Sequence, residues 1–564
     1  MDAFLERLMI RAATIDELLS DAFETLPGQK GDCDLAARRL SAWCQSCASG
    51  DWSLFNRRLQ RDGLSLAQVL ARFATVRRRA SAAPPAWIDD ANWIEAALRD
   101  ASREVAPEEA CDRVEPYPFE HLFRPVVEKA EALLWADSDQ RIYDRLNPSA
   151  HACLRQSLLK TLTNDCAPAI YERFAEARTA GAAPASPTND GELGQDAGIS
   201  LYHRFVAEMR GGGLRCLFED KPVLLRLIAI VTRQWIRSSR EFVARLGADL
   251  AAIERDLLPE SVCRRVDRIE GDISDLHNGG RSVQIVRFEG GPRVVYKPKD
   301  LRLDAAWHEL VGRLNRAGAP VELKAAPAMV RDGYGWTEFI DHTGCVDQDG
   351  PKRFFRRAGA WLALFHGFAA TDMHQENIIA CGDHPTPIDL EMILQPLPQQ
   401  HKSDDSAAQA FEAATEIIAN SIMMVGLLPA YGRSPNNDVF SIGGMKSNWQ
   451  SRKARFAWHN VNTDVMRPIR LDEHGGAAPN LPCFNNHYAK FGDYVEDFVT
   501  GFEDYMRFLL QYIKDNEPGS LIDGFAGCPV RNVIRPTRFY AMVAQRLRDH
   551  RKMDDGVIWS AQAD

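Results

Sequence analysis

As far as about residue 265 the apolar side chains of this chain recur at helical spacing, and beyond Glu270 they fall into short runs of strand character. In the first half, Trp52-Ser-Leu-Phe55, the Leu64 to Phe73 run and Trp93-Ile-Glu-Ala-Ala-Leu98 keep spacings near 3.6. Breaks fall at Ser81 to Ala86 and at Thr179 to Ser200, the second rich in Gly, Ala, Pro, Ser and Asp and expected to be an exposed loop. Leu201-Tyr-His-Arg-Phe205 and Pro222 to Val231 resume the helical pattern. After Glu270, Ser282 to Phe288 and Arg293 to Lys297 read as strands joined by a Glu289-Gly-Gly-Pro292 turn. A helix around Trp307-His-Glu-Leu310 follows, with two more short strands between Val321 and Ile340. An amphipathic helix then covers Phe354 to Ala370, and Phe411 to Leu547 is expected to be mainly helical.

The size, 564 residues and 63.2 kDa, exceeds what one core holds and implies two to four domains. A formal charge of -10, from 68 basic and 78 acidic side chains, argues against nucleic acid as a bulk partner. The sequence contains no apolar run long enough to cross a bilayer, and Met1-Asp-Ala-Phe-Leu-Glu-Arg lacks a secretion signal, so a cytoplasmic location is expected. Of the cysteines, only Cys44-x-x-Cys47 has suggestive spacing. A single such pair is weak evidence for zinc, and ordinary thiols are the expectation.

The chemistry concentrates in Asp372-Met-His374-Gln-Glu-Asn377 and, twelve residues after Asn377, Asp389-Leu-Glu391. Phosphoryl transfer asks for positioning and charge neutralisation. Asp372 can orient or deprotonate a hydroxyl, with His374 as a brace. Asn377, Asp389 and Glu391 offer oxygen ligands for Mg²⁺. Lys297, ending the second strand, can reach the phosphates of ATP, and Glu309 in the next helix is its expected ion-pair partner. The Gly271-Asp-Ile-Ser-Asp-Leu-His-Asn-Gly-Gly280 segment stands where a phosphate-covering loop belongs, with Arg281 and Ser282 as nucleotide-binding candidates. It also carries Asp275 and His277, and an acid is unfavourable beside phosphate unless it has another duty. Hairpin, helix, strands, then helices around a catalytic loop is the two-lobed layout of kinases. The expected fold is therefore α+β: a helical scaffold or substrate-capture region over 1–265, an atypical kinase-like N-lobe over 266–345, and a C-lobe with additional helices over 346–564.

Several of these segments, in this order, resemble the N-terminal dehydratase region of the class II lanthipeptide synthetases, the LanM family. The likeness rests on Gly271 to Val283, Val295-Tyr-Lys-Pro-Lys299, Asp372 to Asn377, Asp389-Leu-Glu391, Asn462-Thr-Asp-Val-Met466 and Val530-Arg-Asn-Val-Ile-Arg-Pro-Thr-Arg-Phe-Tyr540. It implies ATP- and Mg²⁺-dependent phosphorylation of Ser and Thr in a ribosomal precursor peptide bearing an N-terminal leader. Elimination of the phosphate then gives dehydroalanine and dehydrobutyrine. The resemblance assigns Lys297, Asp372, His374, Asn377 and Asp389 to the kinase step, and Asp275, His277, Arg531 and Thr537 to elimination. The general base of elimination stays open. Full-length members continue into a zinc cyclase, whereas this chain stops at Asp564. No zinc site is expected here, and a separate cyclase is a candidate partner. Two other readings stand beside this one: a peptide or small-molecule kinase without lyase activity, and a pseudokinase-like module that binds the leader peptide.

Overall fold

The structure, a computed structural model, describes all residues other than 1, 27–32, 100–114, 182–197, 260–264, 272, 275, 397–405, 434–438, 442, 446–451, 475–478, 518 and 536. It is an α+β fold, largely helical, in which a helical N-terminal region precedes a mixed core. Three long helices organise the first part: α1 (Glu120–Ala136), α2 (Pro148–Gly181) and α3 (Pro222–Asp256). Pro222 stands in the first turn of α3, where its missing N–H costs nothing. Leu224, Leu225, Ile228 and Ala229 of α3 join the main helical core, while Phe242, Val243, Leu246 and Ile253 lie under the sheet.

That sheet has five strands: β1 (Val266–Glu270), β2 (Gln284–Phe288), β3 (Arg293–Lys297), β4 (Ala328–Arg331) and β5 (Tyr334–Glu338). Their order is β1-β2-β3-β5-β4, with every pair antiparallel. Sequence reading missed β1, whose alternation spans only five residues. Because β1 is present, the 271–283 loop lies inside a β1–β2 hairpin. Val286, Phe288, Val294, Tyr296 and Trp336 turn one sheet face onto α3. The buried Asp249 of α3 pins the two together, accepting from Arg331 Nε (2.7 Å), the Tyr334 hydroxyl (2.8 Å) and Trp336 Nε1 (2.9 Å). An acid buried so deeply is tolerable only with partners of this kind.

Beyond β3 come α4 (Arg302–Arg316), α5 (Gly350–Gly367) and α6 (Val495–Asp515). Trp307 of α4 stacks on Phe365 of α5, ring centroids 5.5 Å apart. Helices α5 and α6 cross at glycines. A Cβ on Gly359 would stand 1.9 Å from the Phe498 carbonyl oxygen, and one on Gly501 1.9 Å from that of Arg356, so no larger residue fits this approach.

The region expected to be mainly helical after Phe411 instead contains a long hairpin, β6 (Arg452–His459) paired with β7 (Arg467–His474). Phe456 and Trp458, two residues apart, share one face of the strand, yet Phe456 is exposed while Trp458 lies 5.2 Å from the Tyr171 ring of α2, so the packing comes from α2 and not from alternation along the strand. Asn460 and Asn462, both at positive φ, help to turn the chain. Asn462 is buried; it accepts from the Phe119 N–H (2.8 Å) and the Tyr202 hydroxyl (2.9 Å) and donates to the Tyr117 carbonyl (3.0 Å). The far C-terminus also returns to the first helices. Asp555 pairs with buried Arg39 at 2.8 Å, and Val557 and Ala561 join the core that holds Trp43 and Cys44. Cys44 and Cys47 are free thiols on one helix, and burial pushes both upward in pKa.

Candidate functional site

The Asp372 loop follows α5 and is shaped by its own backbone. Asp372 holds a left-handed φ of 67°, a conformation uncommon for a residue with a side chain. Its carbonyl accepts from the His374 N–H and from Asn377 Nδ2, each at 2.8 Å, and the Asn377 N–H bonds the His374 carbonyl at 3.0 Å. The acid, imidazole and amide spaced along the sequence thus form one closed turn. His374 Nε2 stands 3.5 Å from Asp372 Oδ1, while its Nδ1 accepts from the Glu376 N–H at 3.1 Å. Fully buried Met373 anchors the loop, its N–H bonded to the Val425 carbonyl. Gly444 lies against it so closely that a Cβ would stand 2.4 Å from the Met373 carbonyl oxygen.

A short hairpin, Ile378–Cys381 with His384–Pro387, leads directly to Asp389. The ammonium of Lys299 donates to Asp389 Oδ1 at 2.7 Å and to Glu391 Oε2 at 2.8 Å. Glu391 in turn receives the Arg531 guanidinium in a close ion pair, and the Arg531 N–H bonds the Glu391 carbonyl at 2.9 Å. Gln395 Nε2 holds the Arg531 carbonyl at 2.8 Å. Arg531, 140 positions from Glu391 in sequence, is thereby fixed beside the acids that follow the Asp372 turn.

Lys297 is buried at the end of β3 and donates to the Ile388 carbonyl at 2.6 Å and to Asp304 Oδ1 at 3.3 Å. The expected Lys297–Glu309 pair is therefore corrected. Glu309 is exposed on α4, whereas Asp304 lies on that helix's buried stripe with Leu303, Trp307, Leu310, Val311 and Leu314. An acid on an apolar stripe is the sequence signal that identifies Asp304. Lys299 was also missed. It stands two residues beyond Lys297, hence on the same side of an extended segment, separated from it by Pro298.

Charges within the cluster push its carboxyls apart. Burial raises the pKa of Asp372, with Asp389 and Glu391 adding to the rise while His374 and Arg531 oppose it. Burial acts upward on Asp389 too, but Lys299 and Lys297 outweigh it and hold that carboxyl below the usual range. For Lys299 burial acts downward and is overcome by Asp389, Asp304 and Glu391, so the ammonium is firmly protonated. One acid made more basic beside another held ionised is the division of labour that acid–base chemistry uses.

The described residues of the β1–β2 loop make their contacts apart from the Asp372 turn. His277 is exposed, and its backbone forms a two-way bridge with Arg281 at 2.8 Å. The Arg281 side chain turns to Glu241 of α3 (2.8 Å), and the Ser282 hydroxyl accepts from Gln284 Nε2 at 2.7 Å. Of these contacts the Arg281–Glu241 pair reaches α3 and the others stay within the loop and β2; among the described residues, none joins His277, Arg281 or Ser282 to the Asp372 cluster. Asp275 lies outside the described residues. Thr537 opens a helix, α7 (Thr537–Leu547), six residues beyond Arg531.

Residues 222–564, from the first residue of α3 to the end, match the family model described as "Domain of unknown function (DUF4135)". This chain belongs to the DUF4135 family. The DUF4135 region holds every member of the charged cluster. A stretch of 351 residues is also 24% identical to the lacticin 481/lactococcin biosynthesis protein LcnDR2 of Lactococcus lactis subsp. lactis. That alignment covers 58% of this chain and 36% of the relative, so the match spans little more than a third of the relative's length. Among the described residues, no helix is long and apolar enough to cross a membrane.

Proposed function

We propose that this DUF4135 chain dehydrates Ser and Thr in a ribosomal lanthipeptide precursor, using ATP and Mg²⁺, by phosphorylation followed by phosphate elimination. The observation that carries this reading is the pairing of Arg531 with Glu391, two residues from Asp389. It puts a guanidinium suited to a phosphate ester against the acids suited to the kinase step. The name of the relative, a lacticin 481/lactococcin biosynthesis protein, supports a peptide-modifying role.

In the first step Asp372, more basic than an ordinary carboxylate, takes the proton of the Ser or Thr hydroxyl as its oxygen bonds the γ-phosphorus and the bridging bond to ADP breaks. His374 braces that acid. Lys297, locked by Asp304 and the Ile388 carbonyl, presents a fixed positive charge to the nucleotide phosphates. Asp389, Glu391 and the amide oxygen of Asn377 form an all-oxygen donor set of the kind that holds magnesium, and the Asn377 amide nitrogen is already committed to the Asp372 carbonyl. Magnesium there would neutralise the negative charge of the phosphates. In the second step a base removes the α-proton, the Cα–Cβ double bond forms, and the Cβ–O bond breaks as phosphate leaves toward Arg531. Asp275, His277 and Thr537 are the further candidates for this step.

A kinase that stops at the phosphopeptide is the second reading, favoured by His277, whose contacts among the described residues join it to Arg281 and not to the cluster. The test is mass spectrometry of a precursor peptide encoded beside the gene, incubated with Mg-ATP. Loss of one water per modified residue is expected from the wild type, and accumulated phosphopeptide from Arg531→Ala. Stable phosphopeptide from the wild type would leave the kinase reading alone. No change in the peptide and no ATP turnover would leave only the binding-module reading.

A further inference from the structure

We infer that Lys299 is a built-in counter-ion of the cation site: its ammonium and a divalent cation compete for Asp389 and Glu391, and the cation releases it toward phosphate. This rests on the reading of Asp389 and Glu391 as cation ligands, and it gives a task to a residue that lies in the Val295-Tyr-Lys-Pro-Lys299 motif without an assigned role. The Lys299 ammonium stands 2.7 Å from Asp389 Oδ1 and 2.8 Å from Glu391 Oε2. A cation bridging the two carboxylates needs the same oxygens and the same space between them.

The two lysines at this strand end are placed for different work. Lys297 is 8% exposed and held by Asp304 and a backbone carbonyl, a fixed charge. Lys299 has a more exposed side chain, a flexible four-carbon stem and only carboxylate partners in the cluster. Together the cluster sets four carboxylates, Asp304, Asp372, Asp389 and Glu391, against the cations of Lys297, Lys299 and Arg531. Four negative against three positive charges leaves an excess of one negative charge. Adding a divalent ion makes the site positive overall, and phosphate is the anion at hand. An ammonium displaced from Asp389 and Glu391 then has a new partner within the reach of its own side chain. The device keeps two neighbouring carboxylates from repelling one another before the cation arrives, and it couples cation entry to phosphate capture.

The test is a titration of the full chain with Mn²⁺ by calorimetry, without nucleotide or peptide, comparing wild type, Lys299→Met and Lys299→Arg. Removing the competing ammonium should tighten Mn²⁺ binding about tenfold or more, and Lys299→Arg should stay close to wild type. Lys299→Met should also melt lower without Mn²⁺ and regain the loss when it is added. A purely structural lysine predicts the opposite, weaker Mn²⁺ binding on its removal. The double variant Lys299→Met/Glu391→Gln restores the charge balance and should bring Mn²⁺ affinity back toward wild type even if the single variant folds poorly. Unchanged or weaker Mn²⁺ binding by Lys299→Met, a double variant that fails to reverse the gain, or no saturable Mn²⁺ binding by any form, would overturn the inference. Since the titration involves neither ATP nor peptide, it can succeed where dehydration fails, and fail where dehydration succeeds.

Discussion

Replacing Asp304 by Asn tests the central geometric correction, that Lys297 is held by Asp304 and not by Glu309. Both members of the pair are buried, at 8% and 6% exposure, so removing the carboxylate leaves the ammonium, among the described residues, with the Ile388 carbonyl as its hydrogen-bond partner. Breaking a buried ion pair from one side costs about 3–5 kcal/mol. The Lys297–Asp304 contact is long at 3.3 Å, and the asparagine keeps an accepting oxygen, which places the expectation just below that range, about 2–3 kcal/mol. Glu309→Gln changes an exposed side chain and should stay within about 0.5 kcal/mol. Urea unfolding followed by tryptophan fluorescence is apt, because buried Trp307 lies one turn from Asp304. If Lys297 also serves ATP, Asp304→Asn should raise the KM for ATP about tenfold or more, and Glu309→Gln should leave it unchanged. Equal effects of the two substitutions, on stability and on KM, would refute the reasoning.

Two further outcomes follow from buried polar groups away from the cluster. Asp165 on α2 is 6% exposed, and burial raises its carboxyl above the usual value of 3.8, with Arg548 opposing. A raised carboxyl stabilises the fold only while protonated, so its ionisation penalty appears as pH climbs past 3.8. Asp165→Asn should therefore be more stable than wild type at pH 7, by on the order of 1 kcal/mol, with the gain fading as pH falls toward 4; thermal melts across pH will show it. Asn462→Ala removes three buried hydrogen bonds to Tyr117, Phe119 and Tyr202 and should cost about 2–4 kcal/mol in urea unfolding. A loss under about 0.5 kcal/mol would mean that this docking is not what holds the β6–β7 hairpin to the helices.

What was legible in the sequence was what is local. The Glu289-Gly-Gly-Pro292 turn, the strands on either side of it and the amphipathic helix at α5 are each encoded within one short stretch, by period and turn chemistry. The closed turn from Asp372 to Asn377 is local too. The misses share a physical cause. Glu309 was chosen by distance along the chain, yet α4 turns it outward and puts Asp304 inward, a choice made by packing against α5 and not by spacing. The β6–β7 hairpin has weak alternation of its own, and its register against α2 depends on Trp458 meeting Tyr171 from the other half of the chain. Lys299 lay in plain view within Val295-Tyr-Lys-Pro-Lys299. Its partners are 90 and 92 positions away, and nothing in a local reading distinguishes it from a solvated charge.

The same long-range contacts bear on how the helical half relates to the DUF4135 region. The family match opens at Pro222, but the hydrophobic cores do not divide there. Met466 and Met553 are fully buried in the core built by the first helices, and Ala13, Leu18 and Trp43 share theirs with Val557 and Ala561. Asp555 needs Arg39, and Asn462 needs the backbone of Tyr117 and Phe119. A polypeptide beginning at Pro222 would expose these apolar side chains and leave Asp555 and Asn462 without their partners, each a separate cost. The helices ahead of Pro222 are thus part of what holds α3 in place. Through Asp249 of α3, they bear on the sheet whose third strand ends at Lys297. The helices ahead of Pro222 and the strand that ends at Lys297 therefore share α3 as a common support.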